Sequence, residues 1–117
     1  MRIENGTRGT VLADEAWAAR SYWSRLVGLL FRSSLEPGEA LVIDPCTSVH
    51  TAFMRFTIDV VYVDRERRVV KLAPELKPYR MSAILRGGRS VIELPSGTIR
   101  ETGTAVGDQL LFDIPTS

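Results

Sequence analysis

The stretch Ile58-Asp59-Val60-Val61-Tyr62-Val63, followed by Asp64-Arg65-Glu66-Arg67 and then Arg68 to Ala73, decides the fold class. A run rich in β-branched and aromatic residues reads as a strand, and the charged residues after it read as a hairpin tip before the chain returns. Alternation places Ile58, Val60 and Tyr62 on one face and Asp59, Val61 and Val63 on the other. Both faces are largely apolar, which predicts a strand inside a sheet rather than at its margin.

Outward from this hairpin, short β-like segments recur. They are Thr10 to Ala13, Ala40 to Asp44, Thr47 to Phe56, Val91 to Leu94 and Gln109 to Ile114. Turn signals separate them at Glu36-Pro37-Gly38-Glu39, Pro95-Ser96-Gly97 and Gly107-Asp108. Pro74 and Pro78 bracket an aperiodic stretch that reads as an irregular crossover. One segment reads as a helix. Asp14 suits an N-cap, Glu15 suits the first turn, and Ala19, Tyr22, Trp23, Leu26, Leu29 and Leu30 recur at helical spacing as far as Phe31. The pattern predicts a mainly β fold: one compact β-sandwich or barrel-like domain of about seven or eight short strands, with one amphipathic helix packed on the sheet. The domain is expected to span residues 1–117, with its core from about residue 8 to 113.

Composition narrows the function classes. The chain has 117 residues, 44% of them hydrophobic and 25% charged, enough apolar material for one real core. Fifteen basic residues stand against fourteen acidic ones, a net charge of +1, without the basic excess of a general nucleic-acid binder. The single Cys46 excludes an internal disulfide and suits a reducing compartment. No run of 18 apolar residues suggests a transmembrane helix. Met1-Arg2-Ile3-Glu4-Asn5-Gly6 does not read as a secretory signal, so the expected location is the cytoplasm. There is no GxxxxGK[ST] loop and no GxGxxG after a strand, so no cofactor is expected.

Several segments together carry a family resemblance. They are Gly28-Leu29-Leu30-Phe31-Arg32 with Leu35, the stretch from Cys46 through Thr47-Ser48-Val49-His50-Thr51-Ala52-Phe53-Met54 to Asp64, then Val91-Ile92-Glu93-Leu94-Pro95-Ser96-Gly97, and Gly107-Asp108. The sequence resembles the bacterial and archaeal DUF192 family from about residue 8 to 113. The resemblance implies a compact, mainly β domain and brings no established activity or catalytic residue with it.

The candidate site residues are Cys46, His50, Met54, Arg55 and Asp59, with Glu93 in a second strand. Cys46 and His50 are the chain's only cysteine and histidine. Thiolate, imidazole and thioether would suit copper(I) or zinc. However, the β-branched residues around them favour a strand, where four residues separate side chains by roughly 13 Å. No metal ion is therefore assigned. Cys46 as nucleophile, His50 as base and Asp59 as orienter would make a small hydrolase, if they converge. The simpler readings are a hydrogen-bonded structural His50, a core-packing Met54, and an Asp59 that meets a cation or several donors, with Arg55, His50 and Arg89 as candidates. Glu93 poses the same question as Asp59. Arg86-Gly87-Gly88-Arg89 has the makings of an anion loop but reads more simply as solvated loop, and Arg65-Glu66-Arg67-Arg68 as a charged, aggregation-resistant tip. The expected function is a small accessory or binding module without chemistry of its own, taking a small ligand or protein partner near the His50–Asp59 strand. A Cys–His hydrolase and a soft-metal protein using Cys46, His50 and Met54 are the alternatives. No nucleic-acid partner is expected, and the oligomeric state is left open.

Overall fold

The computed structural model describes residues 1–19, 35–44, 56–77 and 89–114. Among them run strands β1 (Ile3–Asn5), β2 (Thr10–Ala13), β3 (Glu15–Ala19), β4 (Glu39–Ile43), β5 (Ile58–Val63), β6 (Val69–Leu76) and β7 (Ser90–Pro95). A short helix α1 (Thr98–Thr102) and strand β8 (Leu110–Leu111) follow. They form a five-stranded sheet of order β3-β4-β7-β5-β6 and a three-stranded sheet of order β2-β1-β8. The mainly β class follows from the sequence as expected.

Strand β5 is buried at every position and lies between β7 and β6, inside the sheet. Its two apolar faces serve two cores. Val61 and Val63 pack with Val42, Ile92 and Leu94 against Ile3, Leu12 and Leu110 of the other sheet and Phe112 just after it. Val60 and Tyr62 pack on the opposite face with Leu35, Leu41, Ile43, Ile58 and Val91. Period-two alternation thus produces a layered arrangement, with the first core between the sheets and the second on the outer face of the larger one.

Three local expectations are corrected. Glu15–Ala19 is not the first turn of a helix but strand β3, paired parallel to β4 from Glu15↔Glu39 to Ala19↔Ile43. The N–H groups of Asp14 and Glu15 both donate to the Gly38 carbonyl, at 3.0 and 2.9 Å, and draw the chain alongside β4. Sheet hydrogen bonds override a helical pattern that is only weakly preferred locally. Residues 20–34, the remainder of the expected helix, lie outside the described residues, as do 47–55 of the expected Thr47 to Phe56 strand. Gly38 has φ 88°, a backbone conformation that favours glycine, and a Cβ there would stand 2.6 Å from Asp14 Oδ1 and make that side chain shift. The second correction is Pro74, which lies within β6 rather than in a crossover. β6 is an outer strand of its sheet, where a residue without N–H is tolerated. The third is α1, which the sequence presents only as the sequel to a Pro-Ser-Gly turn. It is a single short helix between Gly97 and Gly103, both in the left-handed region.

The smaller sheet is closed by a buried polar cluster. Asn5 Nδ2 donates to Asp108 Oδ2 at 2.9 Å and to Thr104 Oγ1 at 3.2 Å, and Asn5 Oδ1 accepts the Arg8 N–H. Arg8 Nε and the Ala105 N–H also donate to Asp108 Oδ2, each at 2.9 Å. The Arg8 bond acts most strongly on the Asp108 carboxyl. Together with the Asn5 amide and the Ala105 N–H it outweighs the opposing effect of burial and holds the pKa at about 2. A carboxyl whose folded pKa is depressed adds stability above its unfolded pKa and loses it as pH falls through the folded one. Urea midpoints measured between pH 6 and pH 2 should therefore fall for the native chain from about pH 4 downward. Asp108→Asn should start less stable and show a flatter fall, and equal slopes in the two proteins would contradict this reading.

Candidate functional site

The register of the larger sheet gathers residues that are far apart in sequence. β4 pairs with β7 through Ile43↔Val91, and β5 pairs with β7 through Val63↔Ser90. Asp44 follows Ile43, Arg89 precedes Ser90, and the hairpin tip follows Val63, so all three meet at one end of the sheet. The Arg89 N–H donates to the Val63 carbonyl at 2.8 Å and locks the corner. There a cleft of about 380 Å³ opens, lined among the described residues by Asp44, Arg65, Arg67 and Arg89.

Asp44 is the anchor of the cleft. Ser90 Oγ donates to its Oδ2 at 2.6 Å, and Arg89 Nε lies 3.2 Å from its Oδ1. Arg67 Nη1 stands at 3.7 Å from Oδ2, an ion pair too long for a good hydrogen bond. Arg67 is held from behind by Phe112: its Nε donates to the Phe112 carbonyl at 3.4 Å, and its guanidinium lies 4.2 Å from the ring centroid. Its terminal nitrogens are thus left toward the cleft. Arg65 is exposed and has no ion-pair partner among the described residues.

The backbone of the hairpin explains the aim of Arg67. Asp64 N–H donates to the Arg68 carbonyl and Arg67 N–H to the Asp64 carbonyl, while Asp64 Oδ1 accepts the N–H groups of Glu66 and Arg68. This is a three-residue hairpin loop whose last residue is left-handed, a place normally filled by glycine. Here it is Arg67, at φ 65°. A bulky residue in that region costs on the order of 1 kcal/mol, and such strain gathers at functional sites.

The sequence-predicted residues fall elsewhere. Cys46, His50, Met54 and Arg55 lie outside the described residues. Asp59 is buried, 1% exposed. It does not pair with Arg89, which is five residues along β7 from its neighbour Leu94, roughly 16 Å away. Several donors meet it instead: Oδ1 accepts the Glu75 N–H at 2.9 Å and Oδ2 accepts the Ile99 N–H at 2.8 Å. Glu75 sits at φ 52° where the β5–β6 register shifts, so Asp59 fastens a strained bulge on one side and the first turn of α1 on the other. It also floors a hollow of about 240 Å³ with Pro74, Glu75, Gly97, Ile99 and Arg100, yet its oxygens are committed to backbone. Glu93 is fully buried on the opposite face of the sheet, beside Leu41 and Val60, so the two carboxylates do not form one site. The candidate residue that sequence reasoning missed is Asp44, together with its convergence with Arg65, Arg67 and Arg89. The two arginine-rich runs were visible, but nothing local says that they meet.

Removing the Asp59 carboxylate strands the buried N–H of Ile99 and the half-buried N–H of Glu75. Asp59→Ala should cost about 2–5 kcal/mol in chemical denaturation, and Asp59→Asn, which keeps one acceptor, should cost less. Equal losses, or a loss below about 1 kcal/mol, would show that the clamp is not a structural anchor.

Known proteins resemble the chain over nearly its full length. A UPF0127 protein of Pyrococcus furiosus is 34% identical over 112 residues, covering 91% of this chain and 93% of that one. A crystal structure of a protein of unknown function from Novosphingobium aromaticivorans superposes with a TM-score of 0.81 at 22% identity, covering 96% of this chain and 84% of that one. A proposed transcription regulator from Sinorhizobium meliloti superposes with a TM-score of 0.74 at 21% identity, covering 94% and 89%. At these identities the two structures share the fold alone. The DUF192 family, "Uncharacterized ACR", matches residues 3–112, and the chain belongs to that family.

Proposed function

We propose that the protein is a small binding module that takes a compact anionic ligand in the arginine cleft and performs no chemistry of its own. The observation that carries this reading is the convergence of three guanidinium groups on one 380 Å³ opening in a chain of net charge +1. The volume is in the range of small-molecule sites. The planar fork of arginine suits carboxylate and phosphate oxygens. The site stands at the Val63 end of the Ile58–Val63 strand; along its length that strand is buried on both faces. A reducing, cytoplasmic setting suits a chain with one cysteine.

A nucleic-acid partner is the second anionic class. The Sinorhizobium neighbour's description would favour it, but the near-neutral charge of this chain does not. The test is thermal unfolding in sodium phosphate against sodium chloride at equal ionic strength. Phosphate in excess of its Kd should raise the midpoint by a few degrees. The rise should vanish in Arg89→Ala and in Arg67→Gly. The second variant keeps the fold because glycine is the favoured residue at that φ. No rise in the native chain, or an equal rise in both variants, overturns the proposal. Salt-sensitive binding of a single-stranded oligonucleotide with no response to phosphate would move the site to the nucleic-acid class.

A further inference from the structure

The structure assigns the arginine cleft to a dianionic phosphomonoester, with Asp44 as a built-in counter-charge that discriminates against monoanions; this rests on the reading of the cleft as an anion site. The charge count comes first. Among the described residues that line the cleft, Arg65, Arg67 and Arg89 bring three positive charges and Asp44 one negative charge, a balance of two. A monocarboxylate leaves that cleft charged, whereas a phosphomonoester, with a charge near −2 at neutral pH, neutralises it. The division of labour among the donors comes second. Asp44 already takes the Ser90 hydroxyl at 2.6 Å and Arg89 Nε at 3.2 Å, so the carboxylate-sized position in the cleft is filled by the protein itself. Arg65 has no partner among the described residues, and Arg67 stands back from Asp44 at 3.7 Å. With Arg89 they bring three guanidinium groups to the cleft that Asp44 lines, enough donors for three phosphoryl oxygens where a carboxylate offers two.

Phe112 braces Arg67 through its carbonyl and its ring, which restrains that guanidinium at the cleft. A volume of about 380 Å³ exceeds what a bare phosphate fills and leaves room for a small organic substituent. Asp44 is only 17% exposed in its side chain and is tied to Ser90, so it stays in place when the ligand arrives. It holds Arg89 in position and at the same time repels the ligand. Asp44 is therefore a positioning residue that lowers affinity while raising selectivity.

Titration calorimetry at pH 7.5 on the full chain tests this with phenyl phosphate, benzoate and inorganic phosphate. Phenyl phosphate should bind and benzoate should not. Asp44→Asn removes the charge while its amide oxygen still accepts from Arg89 and its NH2 donates to the Ser90 hydroxyl oxygen. It should bind phenyl phosphate about tenfold more tightly and should gain measurable affinity for benzoate. Arg67→Gly should bind neither. Equal affinities of the native chain for phenyl phosphate and benzoate, or weaker phenyl phosphate binding by Asp44→Asn, would overturn the dianion assignment and leave a general anion cleft. Failure of all three probes on both native chain and Asp44→Asn, with native unfolding cooperativity retained, would overturn the anion site itself.

Discussion

Strand β7 carries a hydrogen-bonded neighbour on each side, β4 through Leu41↔Glu93 to Ile43↔Val91 and β5 through Ile58↔Pro95 to Val63↔Ser90. That double pairing is the constraint on which the rest depends. A shift of one residue would turn Ile92 and Leu94 out of the inter-sheet core and bring Val91 and Glu93 into it. It would also carry Arg89 and Ser90 away from Asp44. The apolar pattern that fixes the register for stability therefore fixes the position of the cleft as well.

Asp59 does for the opposite end of β5 what Asp44 does for the near end, with different partners. Asp44 gathers charged side chains in a partly open place, where ionic contacts are individually weak but hold the guanidinium groups at one cleft. Asp59 is buried and answers to backbone N–H groups from β6 and α1. One carboxylate organises a surface and the other fastens the fold. Burial and partner type distinguish the two roles, which the residue name alone does not.

Much of the fold was legible in the sequence because it is written in local patterns. The period-two run Ile58–Val63, the charged tip after it and the Gly107-Asp108 turn are recognisable without knowledge of distant contacts. Glu15–Ala19 was not, because alanine and tryptophan there fit a helix as readily as a strand, and the decision is made by Gly38 and β4, more than twenty residues away. Pro74 misled for a similar reason: proline argues against a strand except at the margin of a sheet, and position in the sheet is a tertiary fact. Asp59 reads in the sequence as a carboxylate among apolar residues that needs a cation or several donors, and the donors that meet it among the described residues are main-chain groups. The arginine cleft was invisible because its members sit in separate runs, and each run by itself reads as a soluble loop.

The central claim is that Arg65, Arg67 and Arg89 act together on one anion. The guanidinium Nε–Hε signals of arginine, assigned by single substitutions, can be followed by NMR while phenyl phosphate is added. The account predicts that the signals of these three residues shift along one saturating curve, while those of Arg2 and Arg100, which lie in ion pairs elsewhere on the surface, do not follow it. Shifts of similar size across all the surface arginines, or a curve that omits Arg67, would contradict it.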